Sequence, residues 1–293
     1  MSLSKKKIMI AYMSLSIAAG LALAICRTVI LYRYYDPYNG EFSREADLYI
    51  QLLGYGMLAV VLILFTSYFW IRREKFEQFS ASSNQVSVFS SSLCGFIFAA
   101  VGILVLIYYA GTIFQTGGGW FFKAAQWISF FSLFGAAAYF IFSASVGYGE
   151  SKIKKALSFF PALWALSYLA ASYIHPDYLY NDPNRIFCNV SIAALLLFFL
   201  FETRNTVSSA QNPTRFAFSL IAMVCVLVYM LPLFTLTAFW EISLTPESLF
   251  EAVECGAVFY IFAVLYTMIS AIKKEPAPVI PTEASESGEN QES

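Results

Sequence analysis

Three ionisable residues, Arg27, Glu251 and Glu254, lie inside long apolar runs of the chain. A charge surrounded by hydrocarbon is costly, so it pairs with another charge, turns to water, or holds an ion or solute. These three are therefore the candidates for a binding site or an intramembrane charge pair. Glu247, Glu251 and Glu254 follow one another at spacings of four and three, which is one face of a helix. The alternative is that all three carboxylates sit in the outer headgroup layer, exposed to water. Depth adds a further constraint: 20 residues separate Lys7 from Arg27 and 19 separate Glu254 from Lys273. At ~1.5 Å per residue both charges stand roughly 30 Å from the same boundary. The expectation is that Arg27 pairs with Glu254, shared with Glu251, across an interface between the first and last spans. Such a pair serves either structure or the binding of a solute.

Other motifs carry less. Ser145-Val146-Gly147-Tyr148-Gly149-Glu150 resembles the Thr-Val-Gly-Tyr-Gly-Asp filter of potassium channels, in which stacked carbonyls replace an ion's hydration shell. That filter follows a short re-entrant helix and opens outward, whereas this motif follows a full span and precedes Lys152, Lys154 and Lys155. A second Gly-Tyr-Gly, at 54–56, falls within another span. His175 is the only histidine, which excludes metal sites built on several histidines. The chain has no Gly-x-Ser-x-Gly elbow, no phosphate-binding loop and no dinucleotide fingerprint. No catalytic residue, metal or cofactor is expected, and the protein is read as a non-enzyme. The five cysteines, Cys26, Cys94, Cys188, Cys225 and Cys255, lie in apolar segments without paired spacing and read as buried free thiols.

The elements that must position these residues follow from composition. Of 293 residues 59% are hydrophobic and 13% charged, too few charges to cover a surface in water. The apolar residues fall in runs long enough to cross a bilayer as helices. Eight spans are expected: Ile8 to Leu31, Leu48 to Ile71, Val86 to Phe114, Trp120 to Val146, Ala156 to Ile174, Arg185 to Phe201, Phe216 to Trp240 and Pro246 to Ile272. Asp182 is placed to cap the sixth, with Pro183 in its first position, and Thr245 and Pro246 open the eighth in the same way. Pro232 should release the Val228 carbonyl and kink the seventh span, with Thr235 and Thr237 as local partners. Small residues make a stripe of Ser16, Gly20 and Ala24 on span one and of Ser132, Gly135, Ala136, Ser143 and Gly147 on span four, faces that admit close helix approach.

Basic residues fix the orientation, because they gather in cytoplasmic loops. Thirteen fall on one side: Lys5 to Lys7, Arg72, Arg73, Lys75, Lys152, Lys154, Lys155, Arg204, Arg215, Lys273 and Lys274. Only Arg33, Arg44, Lys123 and Arg185 fall on the other. Both termini are thus expected in the cytoplasm. Residues 275–293, rich in Glu, Ser and Pro, read as a disordered acidic tail. The N-terminus also has the form of a secretory signal, with Ala22-Leu23-Ala24 as a cleavage site, which would leave seven spans. The apolar pattern runs on through Leu31 and favours a retained helix. A short echo, Tyr35-Asp36-Pro37-Tyr38-Asn39-Gly40 after span one and Tyr180-Asn181-Asp182-Pro183-Asn184 after span five, would fit a repeat of four plus four spans.

With Arg27 late in the first span and the aromatic-x-Asp-Pro-x-x-Gly-x-aromatic turn running from Tyr34 or Tyr35 through Asp36, Pro37, Gly40 and Phe42, the opening fifty residues resemble an uncharacterised group of multi-spanning proteins from anaerobic Gram-positive bacteria. The resemblance covers spans one and two. It implies a bacterial cell membrane and supplies no activity. The fold class read from the chain is all-α: one domain of eight transmembrane helices over residues 1–274, followed by the tail. The functional reading is a small-solute or ion transporter, or a transport-related protein. The alternative is a non-catalytic sensor, assembly factor or subunit. The partners expected are the lipid bilayer and a second membrane protein or a second copy of the chain; nucleic acid is not expected, since no basic stripe is present.

Overall fold

In hydrocarbon no water is present to bond a free N–H or C=O, so each apolar run satisfies its backbone internally as a helix. The computed structural model describes residues 2–36, 41–71, 85–109, 119–145, 151–174, 182–208, 213–240 and 246–270. These form α1 (Ser2–Tyr34), β1 (Tyr35–Asp36), β2 (Glu41–Phe42), α2 (Ala46–Ile71), α3 (Gln85–Tyr109), α4 (Trp120–Ser145), α5 (Lys152–Leu157), α6 (Phe159–Ile174), α7 (Pro183–Ser208), α8 (Pro213–Trp240) and α9 (Pro246–Ser270). Eight units are long and apolar enough to cross a membrane, α5 and α6 together making the fifth. The chain is an all-α, multi-pass helical bundle, as its composition requires. The filter-like motif beyond Ser145, His175, Thr245 and the acidic tail lie outside the described residues.

Local chemistry sets the boundaries. Asp182 caps α7 as expected: its side chain accepts from the Asn184 N–H at 3.0 Å, and its carbonyl accepts from the Ile186 N–H at 3.1 Å. Pro161 has no N–H to give the Leu157 carbonyl, and the helix breaks between α5 and α6 at Ser158. The Ser158 carbonyl is taken up instead by the Thr203 hydroxyl at 2.6 Å. The Asp-Pro turn after α1 carries two short antiparallel strands, Tyr35 opposite Phe42 and Asp36 opposite Glu41, which the all-helical reading did not include. The rings of Tyr35 and Phe42 pack there at 5.0 Å.

Six spans close into a ring by successive packing: α3 on α4, α4 on α6, α6 on α7, α7 on α8, α8 on α9, and α9 back on α3. Aromatic side chains fill its interior. Phe98 of α3 meets Trp164 of α6 at 5.3 Å, and Phe140 of α4 meets Tyr260 of α9 at 4.8 Å. Outside this ring α1 and α2 pack on α8, which makes α8 the most enclosed helix. The Ser16, Gly20 and Ala24 stripe is the surface by which α1 joins it. The Ser16 hydroxyl donates to the Leu220 carbonyl at 2.9 Å, and a Cβ at Gly20 would stand 3.5 Å from the Val224 backbone. On α4 the described part of the small-residue face is likewise turned inward: Ser132, Ala136 and Ser143 are buried, and Gly135 lies against Phe160 of α6.

Candidate functional site

The three intramembrane charges named from the sequence gather at one end of the bundle, where α1 finishes and α7 and α9 begin. Arg27 is buried, and one guanidinium nitrogen donates to the carbonyls of Val228 and Tyr229 at 2.9 and 2.8 Å. Its second nitrogen donates to the Asn184 amide oxygen at 2.9 Å. The rings of Phe187 and Tyr229 flank the guanidinium at 4.9 and 5.2 Å. Val228 is the residue whose carbonyl Pro232 deprives of its helical donor. The freed acceptor is thus satisfied across the helix interface by Arg27. Thr235, expected to serve it, bonds the Pro232 carbonyl at 2.7 Å instead.

The direct pair between Arg27 and Glu254 is not formed: no ion pair joins them among the described residues, although Glu254 lies within electrostatic reach of Arg27. Equal depth places two residues level with one another but does not say which helices stand between. Here α1 packs along α8 and reaches α9 at few positions, so the interface between first and last spans is mostly occupied by the seventh. Glu254 is completely buried rather than set among headgroups. Its Oε2 accepts from the Ser191 hydroxyl of α7 at 2.7 Å, while its Oε1 is buried with no hydrogen-bond partner. Glu251 is half-buried and accepts from the Tyr229 hydroxyl at 2.9 Å. Cys188 of α7 stands within electrostatic reach of Arg27, Glu251 and Glu254. Outside the spans, burial pushes the Asp182 carboxyl above its usual range, opposed by the Asn184 and Arg185 amides and by the charge of Arg27.

A second buried charge cluster, which sequence reasoning missed, lies at the other end of the ring. Glu202 of α7 forms an ion pair with Arg215 of α8 at 2.5 Å and accepts from the hydroxyls of Tyr260 at 2.7 Å and Tyr139 at 3.2 Å. Lys154 of α5 is fully buried within electrostatic reach of both Glu202 and Arg215. Lys154 and Arg215 were counted as loop charges, and the sixth span was expected to stop at Phe201, one residue short of Glu202. The structure corrects both, because a neutralised carboxylate lets α7 continue to Ser208. Arg185, counted as an outer loop charge, is also buried and donates to the Tyr173 carbonyl at the end of α6. Four of the five cysteines are buried or half-buried, and Cys26 is exposed.

The two carboxylates are therefore held differently. Glu202 is enclosed by a guanidinium and two phenols, an arrangement that satisfies a buried ion and suits a structural joint. Glu254, equally buried, has one hydroxyl and an open oxygen. Phe198, Phe199, Phe140 and Trp164 are buried in one apolar core, with Phe199 in ring contact with both Phe140 and Phe198. Among the described residues no group of His, Cys, Asp and Glu is placed to hold a metal ion. The fold and these two clusters define a class, a multi-pass helical membrane protein with buried charge at both ends of a six-helix ring. Comparison with family models, curated proteins and solved structures finds no match to the chain.

Proposed function

We propose that the protein is a small-solute or ion transporter, or a transport-related protein, of a bacterial cell membrane, with its site at Arg27, Glu251 and Glu254 and both termini in the cytoplasm. The observation that carries this reading is Glu254. A carboxylate taken fully out of water and left with one unpartnered oxygen contributes less to stability than an apolar side chain of the same size. Such a group is the form an intramembrane ion or solute site takes. The contrast with Glu202 in the same chain supports it, since there the protein surrounds a buried carboxylate with donors.

The competing reading, a subunit or assembly factor, needs a face of small residues left open to lipid for a partner helix. The described small residues of α1 and α4 are used inside the bundle instead, against α8 and α6, which favours transport. The test is electrical recording from proteoliposomes adsorbed on a solid support, challenged with inorganic ions, amino acids, amines and organic acids. Currents carried by at least one of these classes are expected. Silence across the panel, with a second membrane protein purifying at equal stoichiometry, would transfer the conclusion to the subunit reading.

A further inference from the structure

We propose that Glu254 is a proton-binding group that carries its proton in the arrangement described, so that the ion coupled to transport at this site is H⁺. The coupling role rests on the transport reading; the protonation itself rests on geometry alone. Oε2 of Glu254 accepts one hydrogen bond, from Ser191, and Oε1 has no partner. A carboxylate in that position would leave an unbalanced charge on a fully buried, unbonded oxygen, whereas a carboxylic acid leaves a single polar atom unsatisfied, the smaller penalty. The nearest cation is not free to balance it. Arg27 is held by the Val228 and Tyr229 carbonyls and by Asn184, each within 2.9 Å.

The groups facing Glu254 from each helix around it agree. On its own helix stands Glu251, on α7 Cys188 and Ser191, on α8 Tyr229, and on α1 Arg27. From α3, which packs on α9, the described side chains that can titrate reduce to Cys94, which lies within electrostatic reach of Cys255. This set holds one fixed cation and a second carboxylate. A metal cation would need several oxygen ligands and would sit near a guanidinium, while a proton needs neither space nor ligands.

The step is a simple exchange. The Glu254 O–H bond breaks, the proton passes to water, and the carboxylate keeps the electron pair. The new negative charge then competes with the Val228 and Tyr229 carbonyls for Arg27, which couples the charge on Glu254 to the shape of α8 at Pro232.

A hydrophobic carbodiimide tests this directly, because it adds only to a protonated carboxyl and partitions into the bilayer. The full-length protein in liposomes is treated with dicyclohexylcarbodiimide from about pH 5 to about pH 9, spanning the range between an ordinary carboxylate and an ordinary thiol, and the adduct is located by peptide mass spectrometry. Label at Glu254 is expected to persist above about pH 6, where an ordinary glutamate is almost wholly ionised, and to vanish in Glu254→Gln. Arg27→Lys, which keeps a cation but loses the planar fork, should shift the labelling midpoint while leaving the adduct at the same residue. Absence of label at Glu254 at every pH, or a profile that decays in the ordinary glutamate range, overturns the proposal. Labelling requires no solute, so a positive result with silent proteoliposomes would retain the proton site and remove the transport reading.

Discussion

Replacing Arg27 by alanine removes three hydrogen bonds, two of them to main-chain carbonyls of α8. Interhelical hydrogen bonds in membrane proteins contribute on average ~0.6 and at most ~1.7 kcal/mol each. Three such bonds give roughly 2–5 kcal/mol, and because the Val228 carbonyl has lost its helical donor to Pro232, the expected loss is about 3 kcal/mol. Pro232→Ala restores an N–H that bonds Val228 within the helix. In the Arg27→Ala background it should recover about 1 kcal/mol, whereas in the wild-type background its effect should be small. Equilibrium unfolding in mixed micelles, followed through the protein's tryptophans, measures all four states of the cycle. A loss below about 0.5 kcal/mol for Arg27→Ala, or strictly additive effects of the two substitutions, would refute the idea that Arg27 serves the proline-freed carbonyl.

Removing one partner of the second cluster should be equally costly: Glu202→Ala is expected to destabilise by about 3–5 kcal/mol by leaving Arg215 uncompensated, and Glu202→Leu with Arg215→Met should recover part of it in the same unfolding assay. At Gly135 a Cβ would meet the Phe160 ring at 2.2 Å, so Gly135→Ala should cost about 1–3 kcal/mol. The control is Gly54→Ala, where nothing lies within 4 Å, expected to be neutral or to raise thermal stability slightly. Reporter fusions at Ser82, Ser151 and the C-terminus should behave as cytoplasmic and those at Gly118 and Asp182 as external; an external C-terminal reporter would contradict the orientation.

The parts of this architecture visible in the sequence are those fixed by local chemistry. Apolar run length gave the eight spans, and Asp182 with Pro183 marked the start of α7 because a cap and a first-turn proline act within a few residues. Arg27 and Glu254 stood out because each interrupts an apolar run. Their partners did not, since rise per residue fixes depth and leaves the order of helices around the bundle undetermined. The insertion of α8 beside α1 turned an expected ion pair into a guanidinium on two carbonyls. Lys154, Glu202 and Arg215 were hidden for a related reason: each lies near the end of an apolar run, where a charge reads as a solvated loop residue. Only the meeting of α5, α7 and α8 shows them to be buried together. The polar series Ser191, Glu202 and Thr206 on one face of α7 is the sequence signal for this cluster, and a span ending at Phe201 does not contain it.

Glu254 is the residue on which the functional account depends. The most direct measurement compares transport currents of wild-type protein and Glu254→Gln in proteoliposomes at equal protein density, with thermal unfolding of both run in parallel. The account predicts that the substitution abolishes the current while the unfolding temperature stays about the same, because the amide, like the protonated carboxyl it replaces, is neutral and of nearly the same shape in that buried, under-bonded position. Currents of equal size in the two proteins, or a variant that no longer folds, would contradict it.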